Sequence, residues 1–304
     1  MRTDILSIGA FPPKNDYLWV TWSILTACNY SCRYCRVKGK EVAEKEVVEQ
    51  TLRFIKNVPQ QIKDVTLFGG EPTLHPMLFD VIKELQSFCR RVVIFTNLSS
   101  SKEKIQRLID TGVEFSLSYH SDVLSADAFL DKLDYLYTHN GRIDFLNVMM
   151  AYGKEEENEK VCSYCREQNI KHRLLPVYME GGKVDWVQSV MYSRRSDVNA
   201  IRNTIVAKES KNLILSEQEC ISLNMVNFLG YRCYAGMRSV YIDHNGSVFR
   251  CNADMNKDIK FCTVFDNYPI LEAYTCPHRE CTCEYYIPKE VREGLADRLL
   301  GDVE

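Results

Sequence analysis

Apolar runs of strand length alternate with segments of helical periodicity over the first two thirds of the chain, and this alternation restricts the fold more than any other feature. Strands separated by helices run parallel, because each helix returns the chain to the same edge of the sheet. The runs are Leu18–Leu25, Asp64–Phe68, Arg91–Thr96, Glu114–Ser118, Asp144–Met150 and Lys171–Val177. Between them lie patterns such as Glu44–Asn57, where Val47, Val48, Leu52 and Ile55 share one helical face. Six such units are too few to close an eight-stranded barrel. We therefore expect an α/β fold, a partial and open (β/α)6 barrel, and 304 residues suffice to bury its core and a smaller appendage.

Parallel folds of this kind bind ligands at the carboxyl ends of their strands. Cys28 follows the first run and Gly69-Gly70-Glu71-Pro72 the second, while Thr96-Asn97 ends the third and Ser118-Tyr119-His120 the fourth. From Glu180 to about Arg232 the periodicity weakens. After Cys233, Ser239–Asp243 and Ser247–Cys251 read as short strands joined through Asn245-Gly246, a strong hairpin signal. Two domains are expected, residues 1–205 as the barrel and residues 206–304 as a smaller unit.

The chain has 38 basic and 41 acidic residues, a formal net charge of -3, which gives no electrostatic case for nucleic acid as a partner. Arg90-Arg91 and Arg194-Arg195 are short enough to read as solvated surface. Met1–Asp16 lacks the apolar core of a signal peptide, and no stretch has the length and apolarity of a membrane span. A cytoplasmic location is expected, and there thiols stay reduced. Thirteen cysteines, an odd number, then point to metal ligation rather than disulfides.

Cys28-Asn29-Tyr30-Ser31-Cys32-Arg33-Tyr34-Cys35 places three and then two residues between thiols. A loop of this length can wrap one iron-sulfur cube and ligate three of its irons, leaving the fourth open to a cofactor or substrate. A structural zinc site would need a fourth ligand, and the residues that follow supply neither Cys nor His.

These residues resemble the radical S-adenosylmethionine (SAM) superfamily, whose hallmark is Cys-x3-Cys-x2-Cys after the first strand of a partial (β/α)6 barrel. The resemblance covers residues 18 to about 178. It implies an enzyme with a 4Fe-4S cluster on Cys28, Cys32 and Cys35 and with SAM chelating the open iron. Reductive cleavage of SAM then yields a 5'-deoxyadenosyl radical that abstracts hydrogen from a substrate. The electron would come from an external one-electron reductant such as flavodoxin or ferredoxin. By the same resemblance Gly69, Gly70, Glu71 and Pro72 bind the methionine amino group of SAM, and Tyr34 lies near the adenine. Asn97, Ser118 and His120 stand where the family reaches the ribose and carboxylate of SAM, although Ser116-Leu117-Ser118 departs from the frequent Ser-x-Asp pattern. His120 suits acid, base or substrate contact as well as a hydrogen-bonded loop position. Leu174–Val177 fits either adenine packing or plain barrel core.

Cys233-Tyr234-Ala235-Gly236, the hairpin and Cys251 resemble the twitch or SPASM extensions of the superfamily, which carry auxiliary clusters. The resemblance implies one auxiliary 4Fe-4S cluster on Cys233, Cys251 and two of Cys276, Cys281 and Cys283, with Cys262 as a further candidate. Cys89, Cys162, Cys165 and Cys220 read instead as small buried hydrophobes. Single-cluster extensions of this kind imply oxidation or rearrangement of a small molecule of sugar or aminocyclitol type. The alternatives are a maturase of a ribosomal peptide and an activase of a partner protein. The short Met1–Asp16 segment is expected to leave no room for the peptide-recognition domain that maturases often carry, and a separate protein would then have to supply that recognition.

Overall fold

The computed structural model describes residues 7–8, 16–35, 37, 39–151, 153–176, 214–215, 229–230, 232–255, 257–269, 272–278 and 289–290. A short β1 (Ser7–Ile8) precedes the alternating region. That region runs β2 (Tyr17–Leu25), α1 (Lys45–Asn57), β3 (Ile62–Gly69), α2 (Leu78–Gln86), β4 (Arg91–Thr96), α3 (Lys102–Thr111), β5 (Glu114–His120), α4 (Ala126–Thr138), β6 (Arg142–Met150), α5 (Glu155–Glu167) and β7 (His172–Pro176). The described remainder holds β8 (Ile214–Leu215), β9 (Arg232–Cys233), β10 (Ser239–Ile242), β11 (Ser247–Phe249), α6 (Asn252–Met255), β12 (Cys262–Thr263), β13 (Tyr274–Thr275) and β14 (Lys289–Glu290).

β2 to β7 pair in sequence order, all parallel, as the sequence leads one to expect. Side chains alternate across the sheet. Leu18, Val20, Trp22 and Ile24 of β2, Val65 and Leu67 of β3, Phe115, Leu117 and Tyr119 of β5, and Leu146 and Val148 of β6 are all fully buried under the helices. Helices answer with residues three and four apart, Val48, Thr51, Phe54 and Ile55 on α1 and Leu78, Val81, Ile82 and Leu85 on α2. Ser101 and Ser125 cap α3 and α4 by accepting from the backbone N–H of Lys104 and Ala128, 3.4 Å each. Cys162 and Cys165 are buried on α5 and join this core, as read from the sequence.

The other face of the sheet lines the barrel interior. The register aligns Thr66 with Val93, Phe95 with Ser116, Ser116 with Phe145, Ser118 with Asn147, and Asn147 with Arg173. Leu174 falls on the opposite face beside Val148 and is 47% exposed, so among the described part of Leu174–Val177 it faces away from the interior. Val177 lies outside the described residues.

Arg90 is exposed, as expected of solvated surface, whereas Arg91 is half-buried and differs from that expectation. Arg90 forks onto the buried carboxylate of Asp64, and Arg91 pairs with Glu114 and Asp144. The carboxylates come from β3, β5 and β6, so lateral neighbours in the sheet supply them, and local charge pattern does not show this. These ion pairs gather at the amino ends of the strands, away from the carboxyl ends where the cysteine loop begins.

β10 adds to the sheet parallel to β2, with Tyr241 opposite Thr21, and carries β11 and β12 antiparallel beyond it. Gly246 takes φ 83° in the connecting turn, a conformation that favours glycine, and Asp243 Oδ1 accepts from the Asn245 and Ser247 N–H groups. β9 lies in a separate five-stranded sheet, ordered β13-β9-β14-β1-β8. The expected boundary near residue 205 lies outside the described residues. Among the described residues no helix is long and apolar enough to cross a membrane.

Candidate active site

β2 ends at Leu25 and the chain leaves the sheet as the loop that carries Cys28, Cys32 and Cys35. The stem of this loop is held by the turn after β3, where Gly70 N–H donates to Leu25 O and Glu71 N–H to Ala27 O, 2.9 Å each. A Cβ on Gly70 would sit 2.0 Å from Ala27 O, and one on Gly69 2.2 Å from Leu25 O. Gly69 also takes φ 142°. The two glycines therefore permit close backbone approach to the root of the cysteine loop. Pro72 is buried and starts a short 3-10 turn, Pro72–Leu74.

Glu71 is fully buried, and its carboxylate is occupied by protein donors. Oε1 accepts from Thr73 N–H at 3.1 Å, Thr73 Oγ1 at 2.7 Å and Thr96 Oγ1 at 2.7 Å, and Oε2 accepts from Asn97 N–H at 2.8 Å. Burial raises the pKa of Glu71, and the donors oppose that shift. The carboxylate thus ties the turn after β3 to the end of β4. Asn97 continues the tie, because its Nδ2 donates to Asn29 Oδ1 at 3.2 Å and points at Cys28 Sγ at 3.9 Å. Ser99 Oγ reaches the same Asn29 oxygen at 3.2 Å.

The cysteine loop fits an iron-sulfur cluster by its donor chemistry. Tyr30 N–H donates to Cys28 Sγ at 3.4 Å. Burial, with Asp122 and Cys35 nearby, pushes Cys32 up to about 12, and burial raises Cys28 as well, helped by Glu71 and Cys35. As free thiols these two stay protonated at neutral pH, and a bound cation is what would hold them as thiolates. No other described cysteine shares this loop.

Tyr34 and His120 meet at the mouth of the loop. Tyr34 OH donates to Asp122 Oδ1 at 2.9 Å, and His120 Nδ1 lies 2.9 Å from the same phenol oxygen and 3.5 Å from Cys32 Sγ. With the phenol hydrogen committed to Asp122, His120 Nδ1 carries the ring hydrogen and donates. Burial lowers His120 to about 4, against the opposing pull of Asp122. The ring is therefore neutral at neutral pH, stacked with Tyr34 at 6.0 Å and met edge-on by Tyr30. Tyr34→Phe is expected to lower stability by about 1 kcal/mol, because the phenol joins the cysteine loop to the end of β5. Urea unfolding measures this, and an unchanged midpoint would mean that the phenol joins nothing of consequence.

Ser118 is buried on the interior face beside Asn147. Tyr34, Asn97 and His120 thus stand against the cysteine loop, Ser118 lies two residues before His120 on β5, and Glu71 is enclosed. Among the described C-terminal cysteines, Cys233 pairs across strands with Tyr274, and the Tyr274 phenol is raised in pKa by burial and then by Cys233, Cys251, Asp254 and Cys276 around it. Cys281 and Cys283 lie outside the described residues. Asp122, Asp254 and His278 were not singled out in the sequence. The spacing of Cys251 and Asp254, three apart, is the one local signal that could have found any of them.

A GTP 3',8-cyclase of Microcystis aeruginosa is 28% identical over 127 residues, 39% of this chain and 37% of that relative, so the match spans little more than a third of the relative's length. The fold resembles anSMEcpe with bound AdoMet and Cp18Cys peptide, at TM-score 0.59 and 15% identity over 83% of this chain and 78% of that one. It also resembles Streptococcus suis SuiB bound to precursor peptide SuiA, at TM-score 0.59 and 15% identity over 84% of this chain and 64% of that one. Residues 22–185, more than half of the 304, match the model of the Radical SAM superfamily. The match spans the end of β2, the cysteine loop, the glycine turn and β3 to β7, and the chain belongs to the radical SAM superfamily.

Proposed function

We propose that this enzyme holds a 4Fe-4S cluster on Cys28, Cys32 and Cys35, binds SAM at the adjoining strand ends, and abstracts hydrogen from a small polar molecule of sugar or aminocyclitol type inside the barrel. Together the cluster and SAM supply, when bound, a carbon-centred radical able to attack an unactivated C–H bond. The residues of the chain do the rest. Gly69, Gly70 and Glu71 fix the cysteine loop, Asn97 and Ser118 offer polar contacts to SAM, and Tyr34 and His120 close one side of the mouth.

The observation that carries the substrate reading is the set of polar side chains that stand among Val93, Phe95 and Phe145 on the interior wall. Thr66, Ser116, Ser118 and Asn147 are buried on that face, and Arg173 Nε donates to Asn147 Oδ1 at 2.8 Å while its guanidinium covers the Phe145 ring at 5.2 Å. A guanidinium held on an aromatic floor suits hydroxyl or anionic groups. Cys233, Cys251 and a partner set from Cys276, Cys281 and Cys283 would hold one auxiliary cluster, in a C-terminal unit beginning near residue 206. A flavodoxin or ferredoxin in a reducing cytoplasm would supply electrons. The likeness to peptide-bound anSMEcpe and SuiB favours a peptide as the second reading.

Anaerobic turnover with SAM, reductant and deuterated candidates decides between them, since deuterium appears in 5'-deoxyadenosine only with the true substrate. Arg173→Ala is expected to raise KM by roughly tenfold or more, the loss of a charge-assisted contact, with little change in substrate-free SAM cleavage. Deuterium transfer from peptides alone, or an unchanged KM, would overturn the small-molecule reading.

A further inference from the structure

Cys233 stands opposite Tyr274 across the β9–β13 pair, and Cys276 follows Tyr274 by two residues. Cys233, Cys251, Cys276 and Asp254 are 3%, 5%, 3% and 3% exposed. The Tyr274 hydroxyl between them is buried and, among the described residues, has no hydrogen-bond partner. Gly230 N–H donates to Cys276 O at 2.8 Å, which ties Cys276 to the approach of β9. Asp254 follows Cys251 by one turn of α6, and its backbone N–H donates to Cys251 Sγ at 3.4 Å. One ligand atom each from Cys251, Asp254 and His278 lie within 4.8 Å of one another.

The histidine is already committed on both nitrogens. Lys257 Nζ stands 3.2 Å from His278 Nδ1, and an ammonium has only hydrogens to give, so Nδ1 accepts. Nε2 then carries the ring hydrogen and donates to Asp254 Oδ1 at 2.6 Å. Among the described residues Asp254 Oδ2 has no hydrogen-bond partner. A carboxylate with one oxygen oriented by a histidine and the other free to bind is the arrangement of a metal ligand with its supporting partner.

We propose that Asp254 is the fourth protein ligand of the C-terminal centre, an oxygen beside the thiolates of Cys233, Cys251 and Cys276, and that His278 and Lys257 position it. The assignment rests on the reading that these cysteines hold an iron-sulfur cluster, and it makes Cys281 and Cys283 dispensable for that cluster. His278 is a positioning residue, since both its nitrogens are engaged elsewhere.

The test uses the full chain with Cys28, Cys32 and Cys35 changed to Ala, reconstituted anaerobically, so that only the C-terminal centre contributes. Iron and sulfide content, electron paramagnetic resonance (EPR) and midpoint potential are read. Changing Cys281 and Cys283 together to Ser should leave a four-iron cluster and its spectrum intact. Asp254→Ala, and the isosteric Asp254→Asn in case the smaller residue fails to fold, should lose the iron at one corner and give the signal of an oxidised three-iron cluster. Asp254→Cys should restore four irons with altered g values and a lower potential, because a thiolate replaces a carboxylate. His278→Gln should broaden the spectrum while keeping more iron than Asp254→Ala. An unaltered four-iron spectrum in both Asp254→Ala and Asp254→Asn overturns the assignment, and so does a three-iron form in the Cys281 and Cys283 variant. Zinc, or no metal, in the parent overturns the underlying cluster reading and this ligand with it. That failure is distinct, because it appears before any change at Asp254.

Discussion

Alanine at Cys28, Cys32 and Cys35 together should abolish 5'-deoxyadenosine formation while leaving about half of the iron, if each cysteine group holds one cluster. The two groups stand on different elements. The first occupies the single loop after β2, and its thiols are paired with Tyr30, Asn97 and His120. The second is built from β9, the segment after β11 and the segment after β13, around Tyr274. Among the described residues no hydrogen bond of the loop triplet reaches Cys233, Cys251 or Cys276, so removing the triplet leaves those thiols in place. The chemistry has no substitute for the triplet, because the cluster it would hold is the electron source for SAM cleavage. Iron analysis and chromatography of the quenched reaction measure both effects. Loss of all iron would mean that the groups assemble as one unit, and full retention would mean that the triplet holds none.

Glu71→Ala should cost stability on the order of 3 kcal/mol or more, a large part of what holds a domain together. Read from sequence, Glu71 is a charge partner for SAM, and removing a charge-assisted hydrogen bond would weaken binding by roughly 1.5 to 3 kcal/mol. The structure adds a larger cost. Four donors, from Thr73, Thr96 and Asn97, converge on the buried carboxylate and lose their acceptor together. Each stranded donor costs about 1 to 3 kcal/mol, and relaxation keeps the sum from being additive. Glu71→Gln should cost less, because an amide keeps one acceptor oxygen and the side-chain volume. Urea unfolding and SAM titration on the same variants separate the two roles. A normal unfolding midpoint with weakened SAM binding would return Glu71 to the charge-partner role alone.

The six parallel strands were legible because hydrophobic period is local. Leu18 to Leu25 alternates, α1 repeats at three and four residues, and each element declares its face without reference to the rest of the chain. Boundaries moved by a residue or two, as with β3 at Ile62–Gly69 against the expected Asp64–Phe68. The cysteine loop was legible for a similar reason, since its spacing lies within eight consecutive residues. Arg91 was misread as solvated because its partners Glu114 and Asp144 sit on the next strands, and only lateral pairing brings them together.

By itself, the sequence determined the parallel α/β architecture, the position of the cysteine triplet at a strand end, and the glycine turn beside it, all of which follow from spacing along the chain. Tertiary structure alone decided what those residues touch. Gly69 and Gly70 are pressed against the backbone of the cysteine loop, Glu71 is sealed under Thr73, Thr96 and Asn97, and β10 joins the barrel sheet beside β2. Asp254 and His278 meet although 24 residues separate them, and Tyr34 meets His120 across 86. Such contacts depend on strand register and on the paths of loops, which many sequences satisfy in many ways, whereas periodicity is written into every few residues.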